Sequence, residues 1–158
     1  MLKHFFATVL LFMAPILSAT GAVYAASASQ APAYIKLTPN QAVNNPTQYL
    51  NKKIEITGKF DKFTTLGLDY KKAMKPSTTY ISFLMQRDDV KDHNVPLSEL
   101  KLFVKREYAE KFIDLNTSDT IKVKGTMFST ALGDAWAEID SIEVISKAQT
   151  NDKKENGN

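Results

Sequence analysis

The chain has 158 residues, a formal net charge of +3, 44% hydrophobic residues and no cysteine. Without a thiol, a disulfide framework, a thiolate metal site, a catalytic cysteine and a lipoprotein-type anchor are all excluded. The length fits one domain with extra segments, and a small net charge is not the balance of a strongly basic polymer binder.

The amino terminus reads as a leader. Lys3 precedes an uncharged apolar run, Phe5 to Leu17, and small residues follow up to Val23-Tyr24-Ala25. This three-part pattern is that of a secretory signal peptide over residues 1–25, cleaved after Ala25, with Ala28 as a second site. The alternative is a retained membrane anchor. Against it, the run falls short of the roughly 20 apolar residues of a span, and Pro15 interrupts it. The expected location is therefore periplasmic or secreted, with no stable membrane span after cleavage. Residues 26–36, opening "ASASQAPA", read as a small-residue linker.

The folded body is expected over residues 37–145. Thr38 is an N-cap, Pro39 suits the first helical position, and Gln41 completes a capping box, which predicts a short helix to about Asn44. Pro46 starts a further turn that should carry Tyr49 and Leu50 inward. Five strands follow: Lys53 to Phe63, alternating; Thr79 to Gln86, where "YISFLM" is apolar on both faces; Leu100 to Val104; Thr120 to Ser129, alternating; and Ala135 to Ile145. The last changes phase around Asp140-Ser141, the mark of a bulge. Tyr108, Phe112 and Leu115 fall at helical spacing and predict a helix from Glu107 to Leu115, ended by a left-handed Asn116. Residues 146–158 are polar and read as a disordered tail.

Three strands, a helix and two strands is the order of an OB-fold, a five-stranded, partly open Greek-key barrel, here all-β with one or two short helices. Gly58 and Gly125 interrupt the first and fourth strands. In a small barrel, long strands must bend so that each half pairs with a different neighbour, and glycine marks such bends. A β-sandwich with two bulges is the alternative. The wording carries a resemblance too. "NPTQYLNKKIEITGKF" resembles the opening of exported bacterial OB-fold domains, and "LNTSDTIKVKGTM" resembles their fourth strand. Thr117-Ser118 stands where those domains place a Gly before Asp119. The chain thus resembles the bacterial OB-fold family of the periplasm and the anticodon-binding-like OB domains, which implies a binding module. The histidine motif of the heme-carrying OB protein of cytochrome c maturation is absent.

Chemistry finds few footholds. Asp88, Asp89, Asp92 and His93 could offer oxygen and imidazole ligands, but their spacing matches no defined metal site and equally suits a solvated hairpin loop. No metal or other cofactor is expected. There is no nucleophile elbow, no His-Glu-x-x-His helix and no Gly-rich phosphate loop, so no enzyme is expected. Asn116-Thr117-Ser118 matches a glycosylation acceptor, of consequence only in a eukaryotic source.

The loop between the first two strands, "DKFTTLGLDYKKAMKPSTTY", interleaves lysines with aromatic residues. In OB-folds this loop and the one between strands four and five, here ending in Trp136, flank the ligand face. Tyr70, Lys71, Lys72, Lys75 and Trp136 are the candidate ligand-binding residues, for an anionic polymer or glycan. The competing reading has Tyr70 and Trp136 cap the core while the lysines keep the loop soluble. Charge supports the first: Lys36 to Lys75 holds eight lysines against three acids, a balance of +5. Export and modest net charge disfavour nucleic acid. A protein-interaction or assembly module, bound to an envelope protein, is the second functional expectation.

Overall fold

The computed structural model describes residues 33–149. The expected leader, most of the linker and most of the tail lie outside them. No helix among the described residues is long and apolar enough to cross a membrane.

The elements are β1 (Ile35–Leu37), α1 (Pro39–Asn44), β2 (Lys53–Thr64), β3 (Tyr80–Met85), β4 (Leu100–Lys105), α2 (Arg106–Ala109), β5 (Thr120–Ser129) and β6 (Ala135–Ser146). The five expected strands are β2 to β6. The first half of β2, Lys53 to Lys59, pairs antiparallel with β5. From Phe60 to Thr64 it pairs instead with β3. β3 pairs antiparallel with β4, β4 parallel with β6, and β6 antiparallel with β5. The ring closes on β2, with α2 between its third and fourth strands. This is the five-stranded OB-fold barrel, all-β with few short helices.

Period-two alternation fills it. Ile54, Ile56, Phe60, Phe83, Met85, Leu102, Val104, Ile121, Val123 and Met127 are buried in one core. Burying such side chains contributes about 1.5–3 kcal/mol each. At one end α1 sits as a plug, with Pro39 and Ala42 buried. Its capping box forms as the sequence demands: Gln41 N donates to Thr38 Oγ1 at 3.3 Å, and Thr38 N donates to Gln41 Oε1 at 2.9 Å.

The two glycines answer different contacts. At Gly125 a Cβ would stand 2.0 Å from the Glu138 carbonyl oxygen, so β5 lies closer to β6 than any side chain permits. Across this point Lys124 faces Ser141 and Gly125 faces Ile139, leaving Asp140 as the bulged residue. At Gly58 a Cβ would stand 2.6 Å from Pro39 Cγ. That glycine seats the α1 plug beside the point where β2 passes from β5 to β3.

Several expectations change. β1 pairs parallel with Ile54–Ile56 of β2, and three residues are too few to show a period. The helix expected to Leu115 is α2 followed by a 3-10 turn, Glu110–Phe112. No side chain caps its start, and Ile113 is 75% exposed. The left-handed residue is Ser118 (φ 74°) rather than Asn116. Leu50 is exposed, while Tyr49 packs inward.

Asp119 explains the tight turn before β5. Its carboxylate is 1% exposed. It accepts from the amides of Asn116 and Ala148, at 2.8 and 2.7 Å, and from Lys147 Nζ at 3.0 Å. Burial opposes its ionisation, but these donors outweigh burial and hold the carboxyl below its ordinary range. A depressed native pKa gives stability that is full above the unfolded value, about 4, and lost as pH falls through the native one. Asp119→Asn should therefore be less stable than the parent at neutral pH, and the gap should narrow below about pH 4. Urea unfolding of both proteins across pH 2.5–7 would check this; a gap that widens on acidification would contradict it.

Candidate functional site

Strand alternation sends a second set of side chains outward on β3, β4 and β6. Phe103 of β4 and Trp136 of β6 stack on this outer face, centroids 5.6 Å apart and planes 12° off parallel. Phe128 of β5 meets Phe103 edge-on at 5.9 Å. The loop between β2 and β3 folds over them. Its Tyr70 stacks on Trp136 at 5.5 Å and 24°, giving a column of three rings. Gly67, at φ 81°, passes so close that a Cβ would lie 2.9 Å from Trp136 and 3.0 Å from Phe103. Both the positive φ and the approach require glycine there.

Local hydrogen bonds hold the loop in shape. Asp69 N donates to the Lys75 carbonyl at 2.9 Å, and Ala73 N and Met74 N both reach the Tyr70 carbonyl at 2.9 Å. Ser77 N donates to Asp69 Oδ1 at 2.9 Å. Hydrogen bonds from Ser77, side chain first and then amide, hold the Asp69 carboxyl below its usual range. Asp69 and Met74 both adopt positive φ, 58° and 53°, a strain kept only where surroundings over-determine the backbone.

Two ion pairs fasten the loop and its neighbour to the barrel. Lys75 turns inward, with Nζ 4.6 Å from the ring centres of both Tyr80 and Phe128, and pairs with Glu138. Tyr80 donates its hydroxyl to Glu138 Oε1 at 2.8 Å. Burial resists ionisation of Glu138, but Lys75 and Tyr80 outweigh it and its carboxyl lies below the ordinary range. Burial, then Glu138, raises the Tyr80 phenol. Lys101 pairs with Asp134, donates to the Ser98 carbonyl at 3.1 Å, and stands 5.1 Å over Trp136.

The five residues singled out by sequence divide accordingly. Trp136 is 1% exposed, with its indole N–H donated to the Ala131 carbonyl at 2.7 Å. Tyr70 is half-buried, and Lys75 is half-buried and paired. Lys71 and Lys72 are exposed and enter no ion pair among the described residues. Tyr70 also lines a shallow hollow of about 280 Å³ with Lys71, Met74, Lys75 and Pro76. Sequence reasoning passed over Phe103, Phe128, Lys101, Asp134 and Glu138. Phe103 and Phe128 left one signal, since Leu102-Phe103 and Met127-Phe128 place large apolar residues on both faces of a strand, and Lys101, Asp134 and Glu138 left none. Asp88, Asp89, Asp92 and His93 lie in the exposed β3–β4 loop, where Asp89 is held by Arg87 at 3.1 Å. Among the described residues no three His, Cys, Asp or Glu side chains gather as a metal site.

No protein-family model matches the chain, and no curated protein matches it. Solved structures do. The asparaginyl-tRNA synthetase of Pyrococcus horikoshii is 16% identical with a TM-score of 0.48, over 74% of this chain and 24% of the synthetase. The mitochondrial single-stranded DNA binding protein Rim1 of S. cerevisiae is 14% identical with a TM-score of 0.41, over 62% of this chain and 98% of that one. An OBody bound to hen egg-white lysozyme is 10% identical with a TM-score of 0.43, over 64% and 85%. This chain therefore spans about a quarter of the synthetase. Likeness at these identities concerns the fold. One expectation is corrected: the sequence sets nucleic acid aside as a partner, yet a single-stranded DNA binding protein and a tRNA synthetase stand among the chains of similar fold.

Proposed function

We propose that this chain is an exported, non-catalytic binding module. It takes an anionic polymer or oligosaccharide on the outer side of the β2–β3 loop. The resemblance of its strand openings to exported bacterial OB-fold domains and the leader-like amino terminus support export. One observation carries the ligand reading: a half-buried Tyr70, braced from below by Trp136, lies beside two exposed and unpaired lysines, Lys71 and Lys72. A braced ring offers a flat face to a sugar or base at little entropic cost, and unpaired ammonium groups attract the charged backbone. Lys75 takes no part in this surface, because its ammonium is already held by Glu138 and two rings.

Retention on immobilised heparin, polyphosphate and single-stranded oligonucleotide at low salt tests the reading. The variant carrying Lys71→Ala and Lys72→Ala should bind at least tenfold more weakly, because each unmade phosphate-type contact removes part of the salt-dependent term. Its unfolding midpoint should not move, since exposed lysines contribute little to stability. Lys75 is left intact in this variant, because its removal would strand a half-buried carboxylate. Failure of the parent to bind any of the three matrices would overturn the reading.

A second reading has its own observation. Phe63, Ile81, Ala109 and Ile113 line an apolar hollow of about 220 Å³ beside α2, rimmed by Arg106 and Glu110. It favours a protein-interaction or assembly module of the cell envelope.

A further inference from the structure

The outer face of β2, β5 and β6 carries lysines that are neutralised across strands. Lys53 pairs with Asp140 at 3.2 Å, Lys124 with Glu55 at 3.4 Å, and Lys122 with Glu143 at 2.6 Å. The ladder stops at Lys59. Its cross-strand partner is the neutral Thr120, and Lys59 enters no ion pair among the described residues. At this point, at the end of β3 opposite the 65–79 loop, the barrel opens a cavity of about 360 Å³.

The β3–β4 loop forms its other wall. That loop is held at its base by Arg87 N to the Val95 carbonyl and Leu97 N to the Met85 carbonyl, both 2.8 Å. It contributes Arg87, Lys91, His93 and Asn94 to the lining, with Asp88 as the one carboxylate. Lys91, like Lys59, is unpaired among the described residues. Arg87 is shared between Asp89, at 3.1 Å, and Glu99, at 3.6 Å.

The neutral groups are ordered from behind. Gln86, 3% exposed, donates Nε2 to Ser118 Oγ at 3.2 Å, and the Ser118 hydroxyl in turn donates to Asn94 Oδ1 at 3.2 Å. Ser118 itself is held at φ 74°. With its oxygen engaged, the Asn94 amide has its N–H groups to offer. Unpaired cations facing a concavity with low-dielectric walls focus the field on whatever enters it. The Lys59 and Lys91 ammonium groups and the Asn94 amide line this cavity as donors, while the Arg87 guanidinium is held by Asp89 through Nε and Nη2. Ammonium and amide donors around one cavity suit a tetrahedral oxyanion.

We infer that this cavity is a second binding site, independent of the 65–79 loop, for a compact oxyanion of the phosphate or sulfate type. Its volume leaves room for the first atoms of an attached carrier.

Amide chemical shifts followed by NMR during titration with inorganic phosphate, sulfate and phenyl phosphate, against chloride at matched ionic strength, test it. Saturable shifts should gather at Lys59, Arg87, Asn94 and Thr120. The Lys59→Ala, Lys91→Ala double variant should weaken phosphate binding at least tenfold, and Lys59→Arg, Lys91→Arg should retain it. Lys71→Ala, Lys72→Ala should leave it unchanged, which separates this site from the loop surface. Equal response to all three probes assigns the bare oxyanion, and a preference for phenyl phosphate assigns a phosphomonoester. Shifts that fail to saturate, match those of chloride, or persist in the Lys59, Lys91 alanine variant would overturn the inference.

Discussion

Gly125→Val should destabilise the domain by about 3 kcal/mol or more. The atoms a Cβ would meet are backbone: the Glu138 carbonyl oxygen at 2.0 Å, its carbon at 2.9 Å and Ile139 Cα at 2.9 Å. A flexible side chain could swing aside, but a strand already bulged at Asp140 can only separate from its partner. Separation breaks barrel closure, because β5 is the strand through which β6 connects back to β2. It also moves Glu138, and with it the anchor of Lys75. Urea unfolding of parent and variant decides the matter. A midpoint unchanged within error would mean that the close approach carries no stability.

Trp136→Ala should have an effect of similar size by a different route. The side chain is buried outside the barrel proper, between Phe103 on one side and Tyr70 on the other. Deleting a buried Trp typically removes about 3–5 kcal/mol. The loss here should be uneven, since the barrel core does not depend on this ring whereas the 65–79 loop does. The amides of Ala73 and Met74, bonded to the Tyr70 carbonyl, should exchange with solvent much faster, while those of β5 keep a larger share of their protection. Anion retention should fall as well, although no lysine has been touched, because Tyr70 loses its brace. Equal loss of protection in loop and barrel would show that the outer cluster is part of one cooperative core.

The barrel was legible in the sequence chiefly through β2 and β5, whose inner faces keep period two. Ile121, Val123, Gly125 and Met127 face one way with polar residues between them, and β5 runs over the expected residues. The bulge at Asp140 left a trace for the same reason, as a change of phase. Elements set by contacts across the chain left none. β1 has three residues and owes its existence to the open edge of β2. The helical spacing of Tyr108, Phe112 and Leu115 is real packing, achieved by an α-turn running into a 3-10 turn. At the loop, lysines and aromatics could be named as a group, but not sorted. Lys75 differs from Lys71 and Lys72 only because Glu138 lies under it, sixty-three positions away along the chain. The oxyanion cavity draws on β2, β5 and the β3–β4 loop, a convergence that exists only after closure.

The ring column has a practical side. Trp136 is the chain's one tryptophan, so all indole emission comes from beneath the loop. The indole is shielded from water, stacked with Tyr70 and Phe103 and hydrogen-bonded through its N–H, and it should emit at short wavelength because no solvent can relax around its excited dipole. Any event that lifts Tyr70 lets water in and shifts that emission to the red. The protein thus carries its own label, one placed where a ligand on the outer side of the loop would not touch it.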